Sequence, residues 1–402
     1  MRIAMNPFLL LFSFLLIVVC SHKTDESVDS DPCANAAGNG HDIIAGPAGP
    51  TTNDFDQVFR SLEIDPNNPD IVYLGTERNG IVKTSDGGIT WQRLRYGMRH
   101  STAGYPEVWD IAVSPSNPSL VIAATADSPG PIAGDYPSSM AGVYRSIDGG
   151  LSWMRSNCGI SNSYALSVRF DPNDSTSAIL GIGRGTATFS ALQGQSFDGV
   201  LMRSNDSGLS WDATSMPAGA NTNVFWLLRA YGNGLTQFIT FAFCPDDLSK
   251  NLGFLRSEDG GRSWNPMAPQ LREQRIVEFD VSRDGRRLYA IERDTFSLRT
   301  STDSGASWDT LAVPANGPIR MSPDNPDNII FCDYDKIYHS TNGLQSWQLV
   351  LTTTDRVDDI AFAPAKPDVI YLATRGYSIY KSSNFGATWI QLVNLRTAGV
   401  LD

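Results

Sequence analysis

From Phe55 onward the chain is written in short runs of alternating apolar and polar residues, broken at close intervals by Gly, Pro, Asp and Asn. That period of two is the pattern of half-buried strands. In its first copy the runs are Val58 to Ile64, Ile71 to Thr76, Gly80 to Thr84 and Thr90 to Leu94, and the first two are joined by Asp65-Pro66-Asn67-Asn68-Pro69. The last copy keeps the order, with Val357 to Ala363, Val369 to Thr374, Ser378 to Ser382 and Trp389 to Val393. Each copy predicts a four-stranded antiparallel meander.

Between the third and fourth run stands an eight-residue phrase that recurs seven times and uses seven of the nine tryptophans. It reads TSDGGITW, SIDGGLSW, SNDSGLSW, SEDGGRSW, STDSGASW, STNGLQSW and SSNFGATW, ending at Trp91, Trp153, Trp211, Trp264, Trp308, Trp347 and Trp389. The intervals between these tryptophans are 62, 58, 53, 44, 39 and 42 residues. Periods near 40 to 50 belong to propeller blades.

The phrase has the chemistry of a tight hairpin. A short carboxylate such as Asp148 is expected to accept hydrogen bonds from backbone N–H groups one or two residues ahead, while Gly150 takes a positive φ. Trp153 then covers the hairpin with its ring. Asp86, Asp206, Asp259 and Asp303 repeat the part, and Asn342 and Asn384 replace it in the last two copies. Leu344 stands where glycine is expected, which predicts a remodelled sixth hairpin.

The pattern S-x-D-x-G-x-[ST]-W resembles the Asp-box, or BNR repeat, of sialidases, two-propeller xyloglucanases, sortilin-type receptors and photosystem II assembly propellers. The resemblance implies an all-β fold: a single seven-bladed β-propeller of four-stranded antiparallel blades, with a box in the third-to-fourth-strand hairpin of each. It implies no single function, because those families bind or cleave unrelated things. Each blade is continuous in sequence, so the latch of the ring is open; His41 to Gly46 or Arg396 to Asp402 could supply an extra strand.

Composition narrows the class. Hydrophobic residues make up 41% and charged residues 18%, the reverse of a disordered chain. Net charge is −12 with no basic cluster, which argues against nucleic acid as a partner. Arg2 followed by the apolar run Phe8 to Val19 reads as a signal peptide over residues 1–19. Cys20 then falls where a bacterial lipoprotein is cut and lipidated, and residues 20–54 read as an acidic, Gly- and Ala-rich tether leading to a propeller over residues 55–402. The expectation is a cell-envelope or surface lipoprotein, held to a membrane by its N-terminal lipid, with simple secretion as the alternative. The remaining Cys33, Cys158, Cys244 and Cys332 could pair or remain free buried thiols. No metal-ligand spacing and no cofactor motif is present.

In such a meander the Pro-rich turns and the boxes share one face, and the irregular loops lie on the other. Long loops on a rigid ring are where binding is expected. The candidates there are Glu77, Arg78, Arg99, Tyr105, Trp109, Asp127, Arg184, Glu292, Asp333, Arg375 and Tyr377, within a set of loops that includes Asp355 to Asp359. Aromatic platforms beside bidentate polar groups suit a sugar, although solvated charges fill any large loop face.

Three functions compete. A binding or assembly module for a protein or glycan requires only what the sequence shows and is preferred. The alternative is a glycoside hydrolase, which needs two carboxyl groups across a cleft; resemblance to the xyloglucanases implies one at Glu77 and leaves the second unassigned. A sialidase lacks its Arg-Ile-Pro motif here and would have six blades. His339 precedes the sixth phrase where Lys83, Arg145, Arg203, Arg256 and Lys381 precede others, and is read as a strand-end variant, not a base.

Overall fold

The computed structural model describes residues 59–99, 105–126, 141–160, 164–183, 185–186, 196–225, 227–231, 237–244 and 247–401. The alternating runs form seven antiparallel sheets of four strands, each sheet consecutive in sequence. In the first, Phe59–Ile64, Val72–Thr76, Ile81–Thr84 and Gln92–Leu94 pair in order. The third blade carries an added two-stranded ribbon, Gly185–Thr186 with Ser196–Phe197, between its second and third strands. The first strand of every blade contacts that of the next, and the seventh contacts the first, so these strands surround a central axis. The fold is an all-β seven-bladed propeller.

The core follows from this arrangement. Alternate residues of each sheet point to opposite neighbours, so apolar side chains are buried between blades and not in one central mass. Ile111, Val121 and Tyr144 of blade 2 pack on Tyr73, Ile81 and Leu94 of blade 1. Six further layers of this kind complete the circle. Each fully covered Leu, Ile, Val or Phe contributes about 1.5–3 kcal/mol.

The repeated hairpins show why their residues recur. Asp86 Oδ1 accepts from Ile89 N at 3.0 Å and Thr90 N at 2.9 Å, and its Oδ2 accepts from Thr90 Oγ1 at 2.6 Å. The carboxylate therefore reaches three and four residues ahead, farther than the expected one or two, because it spans the whole turn. Ser146 Oγ accepts from Gly150 N at 2.7 Å from the opposite side. Two successive left-handed residues make the bend in every copy. In the sixth they are Gly343 at φ 66° and Leu344 at φ 65°, and Leu344 N still donates to Ser340 Oγ at 3.0 Å. The remodelling predicted for that hairpin does not occur: the hydrogen bonds and the burial of Leu344 outweigh a strain of about 1–2 kcal/mol.

The turns also link blades. Lys83 Nζ donates to Gly149 O of the next hairpin at 2.8 Å, Arg145 Nε to Ser207 O at 2.7 Å, and Arg203 Nε to Gly260 O at 2.8 Å. Lys381 Nζ completes the series across the seam, reaching Gly87 O at 3.4 Å. His339 occupies the equivalent place in blade 6 but is buried, with Nε2 2.7 Å from Asn328 Oδ1. In six blades the repeated hairpin is joined to the first-to-second-strand turn, as in Gly87 N to Asp70 O at 2.9 Å, which puts both kinds of turn on one face.

The ring closes without an added strand among the described residues. Asp358 Oδ2 accepts from Phe59 N at 3.2 Å and Asp359 Oδ2 from Leu62 N at 3.0 Å, so two carboxylates of the last blade hold the first strand of blade 1. The segment after Asn394, a candidate extra strand, is instead a turn: Val400 O accepts from Arg93 Nε of blade 1, and Leu401 is buried in the seam. The other candidate, His41 to Gly46, lies outside the described residues, as do Cys20, the signal and the tether. Asp110 Oδ2 to Val168 N at 2.9 Å and Asp280 Oδ2 to Met321 N at 2.7 Å are the same kind of stitch between other blades. Cys158 is disulfide-bonded, and Cys244 and Cys332 are buried free thiols.

Candidate functional site

On the face opposite the hairpins, blades 7, 1 and 2 bring charged side chains together. Arg60, second residue of its strand, extends Nη2 to Glu77 Oε1 at 2.9 Å and to Glu107 Oε2 at 3.4 Å. Both carboxylates are therefore within about 6 Å of each other. The Arg60 guanidinium lies over the Trp109 ring, with Cζ 4.5 Å from its centroid. Such a cation–π contact orders the guanidinium plane. Gly75 makes the close approach possible, because a Cβ there would meet Val108 O at 2.6 Å.

Beside this group, Arg375 Nε lies 3.5 Å from Asp358 Oδ1. Burial pushes the Asp358 carboxyl up to about 6 in spite of Arg375 and Arg356. Glu77 is raised as well, first by burial and then by Glu107, with Arg60 and Arg78 pulling the other way. Two carboxyls shifted above their usual range at one place mark a candidate site.

The same place is short of hydrogen bonds. Arg60 Nε, Glu77 Oε2, Arg78 Nε and Trp109 Nε1 are buried with no hydrogen-bond partner among the described residues. Buried polar groups are normally satisfied, so a concentration of orphans needs a reason.

The expected candidates are divided by the structure. Glu77, Arg78, Trp109 and Arg375 come together, with Arg78 buried behind Glu77. Tyr105 and Tyr377, read as rim platforms, are buried between blades at 3% and 2% exposure and offer no open ring, because interblade packing claims them. Glu292 belongs to a separate pair with Arg299 at 2.9 Å, and Asp333 ends the strand Ile329–Asp333. Arg99 N donates to the Tyr144 hydroxyl at 3.2 Å. Asp127 and Arg184 lie outside the described residues. Arg60 and Glu107 were missed, since both sit inside strand runs; a charge within an otherwise apolar first strand was the available signal. No three side chains of metal-ligand type converge among the described residues.

No family model matches the sequence, and no curated protein matches it. Solved structures do. The GH74 xyloglucanase from Xanthomonas campestris superposes with a TM-score of 0.61 at 18% identity, over 82% of this chain and 54% of that one. This chain thus spans about half the length of the xyloglucanase. YCF48 from Cyanidioschyzon merolae gives a TM-score of 0.56 at 16% identity, over 83% and 97%. YCF48 bound to D1 peptide gives 0.54 at 14%, over 78% and 89%. At these identities the likeness is one of fold.

Proposed function

We propose that this chain is a recognition propeller, a binding or assembly module, whose loop face holds a protein or glycan where blades 7, 1 and 2 meet. The carrying observation is the Arg60 guanidinium stacked on Trp109 and shared by Glu77 and Glu107, with unpaired polar atoms around it. An aromatic ring beside planar donors and carboxylate acceptors suits a peptide or a sugar. The extent of the match agrees, since YCF48, bound to D1 peptide in one of the similar structures, is covered over 89% of its length.

A glycoside hydrolase of the xyloglucanase type is the second reading. The close approach of Glu77 and Glu107 and the raised Glu77 carboxyl favour it, because retaining enzymes place two carboxyls about 5–5.5 Å apart and keep one protonated. Against it, both carboxyls are paired to one guanidinium and Glu107 is 2% exposed, which leaves Glu107 poorly placed to act on a glycosidic bond. A sialidase has no support. The module is proposed to work outside the cytoplasm, anchored through Cys20, on the strength of the N-terminal sequence alone.

Glycan and peptide arrays probed with the purified protein test the assignment. The expected result is retention on one array that is lost in Trp109→Ala and Arg60→Ala. Retention that survives both substitutions removes the site.

A further inference from the structure

The opposite face holds a cavity of about 520 Å³ in the axial channel. Its size is that of a small-molecule site. The mouth is formed by the first-to-second-strand turns, whose Pro66, Pro115, Pro172, Pro323 and Pro364 hold a fixed φ and supply apolar surface beside Asn173, Ser282, Arg283 and Ser322. The wall below is charged.

Four arginines line the cavity: Arg283 is exposed at the mouth, and the three below it are each ion-paired. Arg169 Nη1 lies 2.6 Å from Asp110 Oδ2. Arg229 Nη2 lies 3.0 Å from Glu278 Oε1, with its Nε 3.6 Å from Asp280 Oδ1. Arg320 bridges Glu278 at 3.0 Å and Asp359 at 2.8 Å. These pairs consume four carboxylates, three of which are also held by backbone N–H groups of a neighbouring blade. One acid is left over. Glu63 lines the cavity, is partly buried, and has neither a hydrogen bond nor an ion pair among the described residues.

We propose that this cavity binds an alkylammonium group, with Glu63 as its counter-ion and the proline-ringed mouth as the seat of its methylene chain. The group could come from a free polyamine or from a lysine side chain of a partner; the chemistry is the same. Four carboxyls and four guanidiniums line the cavity, but the three inner guanidiniums are already paired to Asp110, Glu278, Asp280 and Asp359, and a carboxylate left without a partner in a narrow channel attracts a cation. A metal ion does not fit, because no three ligand-type side chains converge among the described residues. An ammonium on an apolar stem needs one carboxylate and a sleeve, and both are present. This site is independent of the loop-face reading and lies on the face that sequence reasoning treats as scaffold.

Burial, together with Asp110 and Asp359, pushes the Glu63 carboxyl up to about 7, against the pull of Arg169 and Arg229. A cation that binds the ionised form therefore favours release of a proton.

The test is isothermal titration calorimetry of the full protein at pH 7 with spermidine and, separately, with Nα-acetyl-lysine amide, each in phosphate and in Tris. The expected result is binding of at least one probe, with a heat that differs between the two buffers, weakened at least tenfold in Glu63→Gln. Binding of spermidine alone assigns a free polyamine, and binding of the lysine probe alone assigns a partner side chain. Absence of binding by both at millimolar concentration overturns the proposal, as does Glu63→Gln affinity within twofold of the parent. Should that variant not fold, Glu63→Ser takes its place, and affinity within twofold of the parent overturns the proposal.

Discussion

Replacing Asp359 by alanine tests how the ring is held shut. Its carboxylate accepts from Leu62 N at 3.0 Å across the seam, from Ile360 N at 2.8 Å, and from Arg320 Nη2 at 2.8 Å. Asp359→Ala leaves a backbone N–H of blade 1 without its acceptor and removes one of two partners from Arg320, which keeps Glu278. Hydrogen bonds to charged groups contribute about 1.5–3 kcal/mol each. Breaking a buried ion pair by removing one partner costs about 3–5 kcal/mol. The two overlap, so the expected loss is about 3–5 kcal/mol. In a domain of this size it lowers Tm by roughly 5–10 °C. The assay is thermal unfolding followed by circular dichroism, with the exposed Asp212→Ala as a control expected to change stability by about 0.5 kcal/mol or less. A drop in Asp359→Ala no larger than in the control refutes the reasoning, and blade packing alone then closes the ring.

Three further outcomes follow from the same structure. Glu63 and Asp358 have folded values of about 7 and about 6, above the ordinary values of 4.5 and 3.8, so their stabilising contribution is complete below the unfolded values and lost as pH rises through the folded ones. Tm is thus expected to rise between pH 8 and pH 6, less so in Glu63→Gln, and a fall across that interval contradicts it. Asp148→Ala removes the bonds to Ser152 N at 2.9 Å and Ser152 Oγ at 2.5 Å and is expected to cost about 1–2 kcal/mol by denaturant titration. Asp148→Asn is expected to cost less, because Asn342 and Asn384 already make the turn. Phe385 holds φ 57° with its side chain partly in solvent, so Phe385→Gly is expected to raise stability by about 0.5–1 kcal/mol; a loss shows that ring contacts outweigh backbone strain.

The repeated phrase made the fold legible because its chemistry is local. Asp, Gly and Trp at fixed spacing specify a hairpin whatever surrounds it, and the strand order follows from reading outward. Leu344 shows where local reasoning ends, since burial in the layer shared with the preceding blade overrides the cost of its positive φ. The site was half legible. Glu77 and Trp109 were identified, but Arg60 and Glu107 meet only when blades 1 and 2 are placed side by side. Glu63 was invisible for the same reason. On a single strand a charged residue between Leu62 and Ile64 reads as solvent-facing, and only seven strands around an axis turn that solvent into a channel.

The central claim, recognition without hydrolysis, is tested most directly by a reducing-sugar assay of the purified protein on xyloglucan and a panel of other polysaccharides. The account predicts no release above the level of heat-inactivated protein. Release that disappears in both Glu77→Gln and Glu107→Gln, with folding intact, contradicts it and makes the carboxylate pair catalytic.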